Sequence, residues 1–210
     1  MTPQEIEAAA QDLLTAEATG TQIGLLSLRH PGMTMDDAYA IQSAQIRQKL
    51  AAGRDIIGWK IGLTSKVMQA ALKIDTPDSG VLYDDMLFDS GATVPAGRFI
   101  QPRVEAEIAF VMKAPLEGEV TREEVLAATD HVAPALEILD TRILRADPAT
   151  GTPRIITDTI SDNAANAGIV LGPDRHDPAE VDLRWTGAIV RKDGEVELTG
   201  LGAAVLDDPV

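Results

Sequence analysis

Arg103-Val104-Glu105-Ala106-Glu107-Ile108-Ala109-Phe110-Val111-Met112 reads as a β-strand, and its alternation sets how the rest of the chain is read. Val104, Ala106, Ile108 and Phe110 fall on one side, and Glu105, Glu107, Ala109 and Val111 on the other. Two carboxylates therefore project together from a face that turns apolar further along. Working outward, Pro134–Leu139 returns to strand and places Glu137 inside an otherwise apolar run. Upstream, from Asp55, short apolar stretches alternate with glycine, proline and aspartate, beginning with Ile56-Ile57-Gly58-Trp59-Lys60-Ile61-Gly62-Leu63, the texture of strands and tight turns.

Before Asp55 the period is helical. Thr2-Pro3-Gln4-Glu5 is a capping box, Ile6, Ala10, Leu13 and Leu14 form an apolar stripe, and Gly20 is a stop. A second helix begins near Thr34 and ends near Gly53, and a third opens on the capping box Thr121-Arg122-Glu123-Glu124. Leu183 to Val190 is expected to pair with Glu195 to Thr199 across Lys192-Asp193-Gly194. The pattern predicts a helical segment over 1–54 packing on a core over 55–210. Strands do not alternate regularly with helices, so the class is α+β with a mixed or antiparallel sheet. Asp207-Asp208-Pro209 reads as a helix start, so the core is expected to be C-terminally incomplete at Val210.

Composition narrows the function. The chain has 210 residues, 45% of them hydrophobic and 24% charged, which suits a globular protein that buries about 70% of its surface. A net charge of −15 repels phosphate backbones and anionic membranes, so no nucleic-acid or membrane partner is expected. No apolar run approaches the roughly 18 residues of a membrane span, and no signal peptide is visible, so a cytoplasmic location is expected. Without cysteine, any metal must be held by oxygen or by the three histidines, His30, His131 and His176, which lack ligand spacing.

Glu105, Glu107 and Glu137 could make an all-oxygen site for Mg²⁺ or Mn²⁺. Spacing alone equally allows a solvated face and a satisfied core glutamate. Lys60 interrupts an apolar strand, and burial disfavours a lysine's charged form unless carboxylates compensate, which makes it either a proton-transfer group or a snorkelling side chain. Gly58 and Gly62 on either side allow close approach by a ligand. Asp78, in Pro77-Asp78-Ser79-Gly80, reads first as a turn former, with a catalyst as the other reading. Asp158, Ser161, Asp162 and Asn163 read as a polar cluster whose simplest role is a helix cap. Phosphate loops, dinucleotide fingerprints and nucleophile elbows are missing from the sequence.

Gly58-Trp59-Lys60-Ile61-Gly62-Leu63-Thr64-Ser65, Pro77-Asp78-Ser79-Gly80, Glu105-Ala106-Glu107, Pro134-Ala135-Leu136-Glu137 and Ser161-Asp162-Asn163-Ala164 occur in an order that resembles the hydratase/decarboxylase branch of the fumarylacetoacetase superfamily. The resemblance runs from Pro31 to Val210. It implies a mixed β-sheet roll of fumarylacetoacetase type, a homo-oligomer, and a divalent metal, usually Mg²⁺, on Glu105, Glu107 and Glu137. It also implies Lys60 and Asp78 as acid–base residues and Leu63 and Ser161 at the substrate. The implied reaction is addition of water to a 2-hydroxydienoate or 2-oxo-enoate dicarboxylate in aromatic meta-cleavage catabolism. Decarboxylation of a 4-oxalocrotonate-type substrate and a non-catalytic partner subunit stay open as alternatives. For a dioate, Arg142, Arg145 and Arg154 are candidates to meet the distal carboxylate, although loop charges facing solvent are their simpler reading.

Overall fold

In the computed structural model residues 1–72 and 74–210 are described, with the side chains of all of these except Met68, Ala71 and Leu72. Three capped helices follow the sequence signals closely. α1 (Pro3–Thr19) starts on a complete Thr2/Glu5 capping box and stops at Gly20 in the left-handed conformation. α3 (Met35–Ala51) starts on a Thr34/Asp37 box, and α5 (Arg122–Ala128) on a Thr121/Glu124 box. A single turn, α2 (Leu26–Arg29), lies between α1 and α3 in sequence.

Contacts divide the chain into two units. The first comprises Met1–Gly62, Asp78–Val104 and Glu137–Ile169. Its core joins Ala9, Ala10 and Leu13 of α1 to Leu25, Leu26, Ile41, Ala44 and Ile143. α3 also packs on α6 (Ile156–Ser161), and here its inward face is polar, because Gln42 and Gln45 are buried with it. Gln42 Nε2 donates to the Ser79 carbonyl (2.8 Å), and Gln45 Nε2 donates to the Ser161 carbonyl (2.6 Å). Each amide satisfies a backbone acceptor that would be costly to leave dry. β1 (Ile56–Gly62) pairs antiparallel with β2 (Asp78–Tyr83), and Val81, Leu82, Tyr83 and Met86 form a second apolar cluster.

The second unit comprises Leu63–Pro77, Glu105–Leu136 and Val170–Val210. It includes α4 (Lys66–Leu72), α5 and a hairpin of β7 (Gly187–Lys192) and β8 (Glu195–Leu201). Asp193 and Gly194, both at positive φ, make the two-residue turn that Asp-Gly foretells. The first strand starts later than expected, since Leu183–Trp185 is a 3-10 turn begun by Asp182, whose carboxylate takes the Arg184 N–H. Asp207–Val210 is not helical either: Leu206 and Asp207 have positive φ, and Asp208 accepts from Arg122 and from the Val210 N–H.

The remaining strands, β3 (Leu87–Phe88), β4 (Arg103–Met112), β5 (Thr129–Leu139) and β6 (Asn166–Leu171), form a four-stranded sheet in the order β3-β6-β5-β4. The molecule is thus α+β, with its two longest described helices, α1 and α3, in the N-terminal segment. Among the described residues no helix is long and apolar enough to cross a membrane.

Candidate metal and proton-transfer site

β1 presents its residues in an inverted order. Trp59 and Ile61 are 66% and 65% exposed, while Gly58, Lys60 and Gly62 point inward. Across the ladder Lys60 stands opposite Gly80, and Gly62 opposite Asp78, so Lys60 and Asp78 share one face, each opposite a glycine. Lys60 Nζ lies 4.0 Å from Asp78 Oδ1 and 3.5 Å from Glu137 Oε1, with side-chain exposures of 12%, 3% and 7% respectively. The Lys60 ammonium group is largely withdrawn from water, against two carboxylates.

The glycines are there for the neighbours of Lys60. A Cβ on Gly62 would run into Asp78 Oδ1 and approach Lys60 Nζ to 2.9 Å. A Cβ on Gly80 would meet the Asn163 carbonyl at 2.5 Å, whereas one on Gly58 would make only ordinary contact with Leu82, at 3.7 Å. Burial pushes the Asp78 carboxyl above its usual range, against the opposing pull of the Lys60 ammonium and the Gly62 N–H. Asp78 Oδ1 is buried without a hydrogen bond. A carboxyl in that position can take up a proton at a higher pH than a solvated one.

The strand is held against a strained segment. Asn163, Ala164 and Ala165 all have φ near +50°, a region that costs a non-glycine residue of the order of 1 kcal/mol or more. Asn163 offsets that cost by using its side chain as a strand would: Oδ1 accepts the Val81 N–H at 2.8 Å and Nδ2 donates to the Val81 carbonyl at 2.9 Å. Asn166 Nδ2 donates to the same carbonyl. Asp158 does cap, as expected, taking the Ile155 N–H, and it also binds the Ser27 N–H and hydroxyl.

Ser161 is fully buried, its hydroxyl donating to the Thr157 carbonyl at 2.8 Å. Leu63 has a φ of 58°, and Gln69 Nε2 donates to its carbonyl.

Glu105, Glu107 and Glu137 each offer a carboxylate oxygen within 4.8 Å of the others, on the neighbouring strands β4 and β5. Glu105 and Glu107 are exposed and Glu137 is buried. An all-carboxylate oxygen set of this kind fits a hard divalent ion. No histidine belongs to this cluster: His131 lies on β5 beside Asp130, and His176 bridges the Val132 backbone.

Arg142 departs from its expected place in solvent. It is fully enclosed, with Nε on Asp162 Oδ1 (2.5 Å), Nη2 on the Asp162 carbonyl (2.6 Å) and Nη1 on the Asn166 carbonyl (3.2 Å), while its own N–H goes to Asp162 Oδ2 (2.8 Å). It clamps the segment that carries Asn163 and is not available to a ligand.

The chain is 50% identical over 201 residues to the 2-oxo-hept-4-ene-1,7-dioate hydratase of Escherichia coli, covering 95% of this chain and 75% of the relative. It is 44% identical over 211 residues to the 2-keto-4-pentenoate hydratase of Paraburkholderia xenovorans (strain LB400), covering 100% and 76%. Among solved structures it matches the 4-oxalocrotonate decarboxylase of Pseudomonas putida G7. With the calcium and acetate complex the TM-score is 0.89 at 36% identity, covering 100% of this chain and 77% of that one. With the magnesium and adipate complex the TM-score is 0.85 at 34% identity, covering 100% and 78%. No family model matches the sequence.

Proposed function

The chain belongs to the family of 2-oxo-enoate hydratases and 4-oxalocrotonate decarboxylases, and from that membership we propose a hydro-lyase that adds water to a 2-hydroxydienoate or 2-oxo-enoate dicarboxylate. The observation that carries this reading is the 50% identity to a 2-oxo-hept-4-ene-1,7-dioate hydratase, against 36% to the decarboxylase of known structure. The pathway is read as aromatic ring catabolism. The fold is read as a fumarylacetoacetase-like roll, supported by the mixed helix and strand content and the structural match. Exposed Trp59 and Ile61 on β1 support a homo-oligomer, since large apolar side chains grouped on one face commonly mark association surfaces.

Glu105, Glu107 and Glu137 are assigned as the metal ligands, with Mg²⁺ as the ion and Mn²⁺ as a substitute; the calcium and magnesium complexes of the structural relative support a divalent cation. Such an ion supplies a Lewis acid that stabilises negative charge as it develops on the 2-oxo oxygen. The other steps fall to the side chains. Ketonisation removes a proton from the 2-hydroxyl group and returns one to a chain carbon, and Lys60 Nζ and Asp78 Oδ1, 4.0 Å apart, are assigned as the groups that carry those protons. Water then adds to the carbon conjugated with the 2-oxo group. Leu63 and Ser161 are assigned to the substrate, and the held left-handed turn at Leu63 suits a backbone contact.

The test is consumption of 2-hydroxyhepta-2,4-diene-1,7-dioate followed by its dienol absorbance, with Mg²⁺ and then with excess EDTA, trapping any CO₂. Metal-dependent loss of absorbance without CO₂ is the expected result. Release of CO₂ would transfer the reading to decarboxylation.

A further inference from the structure

We propose that Asn163, with Gln42, is a positioning residue for the proton-transfer pair: their side-chain amides stand in for a third strand, fix β2, and so hold Asp78 against Lys60. The inference rests on the roles given to Lys60 and Asp78 above and deepens them by naming what sets their geometry. Every residue it uses belongs to the first unit.

β1 and β2 form a sheet of only two strands, an arrangement that is marginal by itself. Along an antiparallel strand, the backbone groups of successive residues face opposite edges. Ser79 and Val81, two apart, both bond away from β1. The Ser79 carbonyl accepts from Gln42 Nε2 (2.8 Å), and the Val81 carbonyl accepts from Asn163 Nδ2 (2.9 Å) and Asn166 Nδ2 (3.0 Å). The Val81 N–H donates to Asn163 Oδ1 (2.8 Å). Asp78, Gly80 and Leu82 therefore turn toward β1, where their partners are Gly62, Lys60 and Gly58. One edge of β2 carries the ladder that bears Lys60, and the other carries amides.

An asparagine amide holds a donor and an acceptor side by side, so one side chain can meet both backbone groups of one residue, as a neighbouring strand would. Asn163 does this from a left-handed backbone, which asparagine adopts more readily than most residues with a side chain. Ala164 and Ala165 follow it at φ of 52° and 58° without that excuse. Strain of this kind persists where the surroundings over-determine it, and it collects at sites that need a set geometry. Here it brings the Asn163 carbonyl so close to Gly80, the residue opposite Lys60, that a Cβ there would come within 2.5 Å. Arg142 grips the preceding residue, Asp162. A displacement of about 1 Å in a catalytic group can cost 10²-fold in rate, so loss of the amide edge should appear in turnover rather than in substrate binding.

The test is steady-state kinetics on 2-hydroxyhepta-2,4-diene-1,7-dioate with Mg²⁺, together with amide hydrogen exchange, on the unmodified chain and on Asn163→Gly, Gln42→Met and Ala164→Gly. Asn163→Gly keeps the left-handed backbone accessible and deletes the amide, and Gln42→Met keeps the length of the side chain. Ala164→Gly relieves strain and leaves both amides in place. Asn163→Gly is expected to lower kcat by about tenfold or more and Gln42→Met by about threefold or more, with KM within about twofold. Ala164→Gly should keep both constants within about twofold. In the two amide variants the Lys60 and Gly62 N–H groups should exchange at least about tenfold faster, while Leu13 in α1 keeps its protection. An unchanged kcat in both amide variants, a change confined to KM, an equal loss in Ala164→Gly, or unchanged exchange at Lys60 and Gly62 overturns the proposal. Should Asn163→Gly fail to fold, Gln42→Met decides. If even the unmodified chain leaves the dienol untouched, the hydratase reading falls, and exchange at Lys60 and Gly62 still decides whether the amides hold the pair.

Discussion

Lys60 Nζ stands 3.5 Å from Glu137 Oε1, with both side chains almost wholly withdrawn from water. The ammonium group thus faces a carboxylate assigned to the metal and, 4.0 Å away, one assigned to proton transfer. Lys60→Met is expected to lower kcat by about 10²- to 10⁴-fold, the usual worth of a positioned acid or base. Mg²⁺ affinity measured by calorimetry should hold or rise, because a competing positive charge leaves the glutamates. Full turnover in this variant would remove Lys60 from the chemistry.

The two glycines flanking Lys60 are expected to respond oppositely to alanine. Gly62→Ala puts a methyl group against Asp78 Oδ1 and Lys60 Nζ, and a displacement of about 1 Å in a catalytic group can cost 10²-fold in rate. Gly58→Ala meets only Leu82 at van der Waals distance and should keep its rate within about twofold, since ordinary contact stores no strain. Equal rates in the two variants would show that the close approach at Gly62 does not matter.

Asp78 ties stability to pH. Its folded value is raised by burial, so between about 3.8, where the unfolded chain titrates, and that higher value the folded state binds more protons. The contribution of Asp78 to stability therefore falls as pH rises through this window. Urea midpoints of the metal-free protein and of Asp78→Asn, compared from acid to neutral pH, should show the unmodified chain losing ground to the variant. A pH-independent difference would mean that Asp78 titrates as it does in the unfolded chain.

Arg142 is expected to matter for stability. Arg142→Ala leaves Asp162 buried and charged, a loss of about 3–5 kcal/mol. At roughly 2–4 °C per kcal/mol the melting temperature should fall by about 10 °C. Arg142→Lys should recover little, because one ammonium cannot reproduce the fork that spans Asp162 and Asn166. A melting temperature unchanged in Arg142→Ala would refute the clamp.

Local chemistry explains which parts were legible from sequence. The capping boxes at Thr2, Thr34 and Thr121, the Asp-Gly turn and the Glu105/Glu107 face depend on neighbours a few positions apart, and each is found where the sequence puts it. What the sequence hid depends on distant partners. Gln42 and Gln45 lie on the inward face of α3, yet only the carbonyls of Ser79 and Ser161 give polar residues there a purpose. Arg142 looked like a loop charge because Asp162, twenty positions on, cannot be seen from its immediate surroundings. The exposed Trp59 and Ile61 reversed the polarity expected of an apolar strand, since Lys60 finds its two carboxylates on the inner side.

The left-handed turn at Asn163 has a consequence for how the protein is made. Asn163 bonds Val81, eighty-two positions earlier, and Lys60 meets Glu137 only after a comparable stretch of chain has been synthesised. The unit holding them is assembled from three separated segments, the last ending at Ile169. Such long-range closure is slow relative to helix formation, so during translation α1 and α3 can form well before the Lys60 environment exists. A growing chain would carry helices long before it carried chemistry.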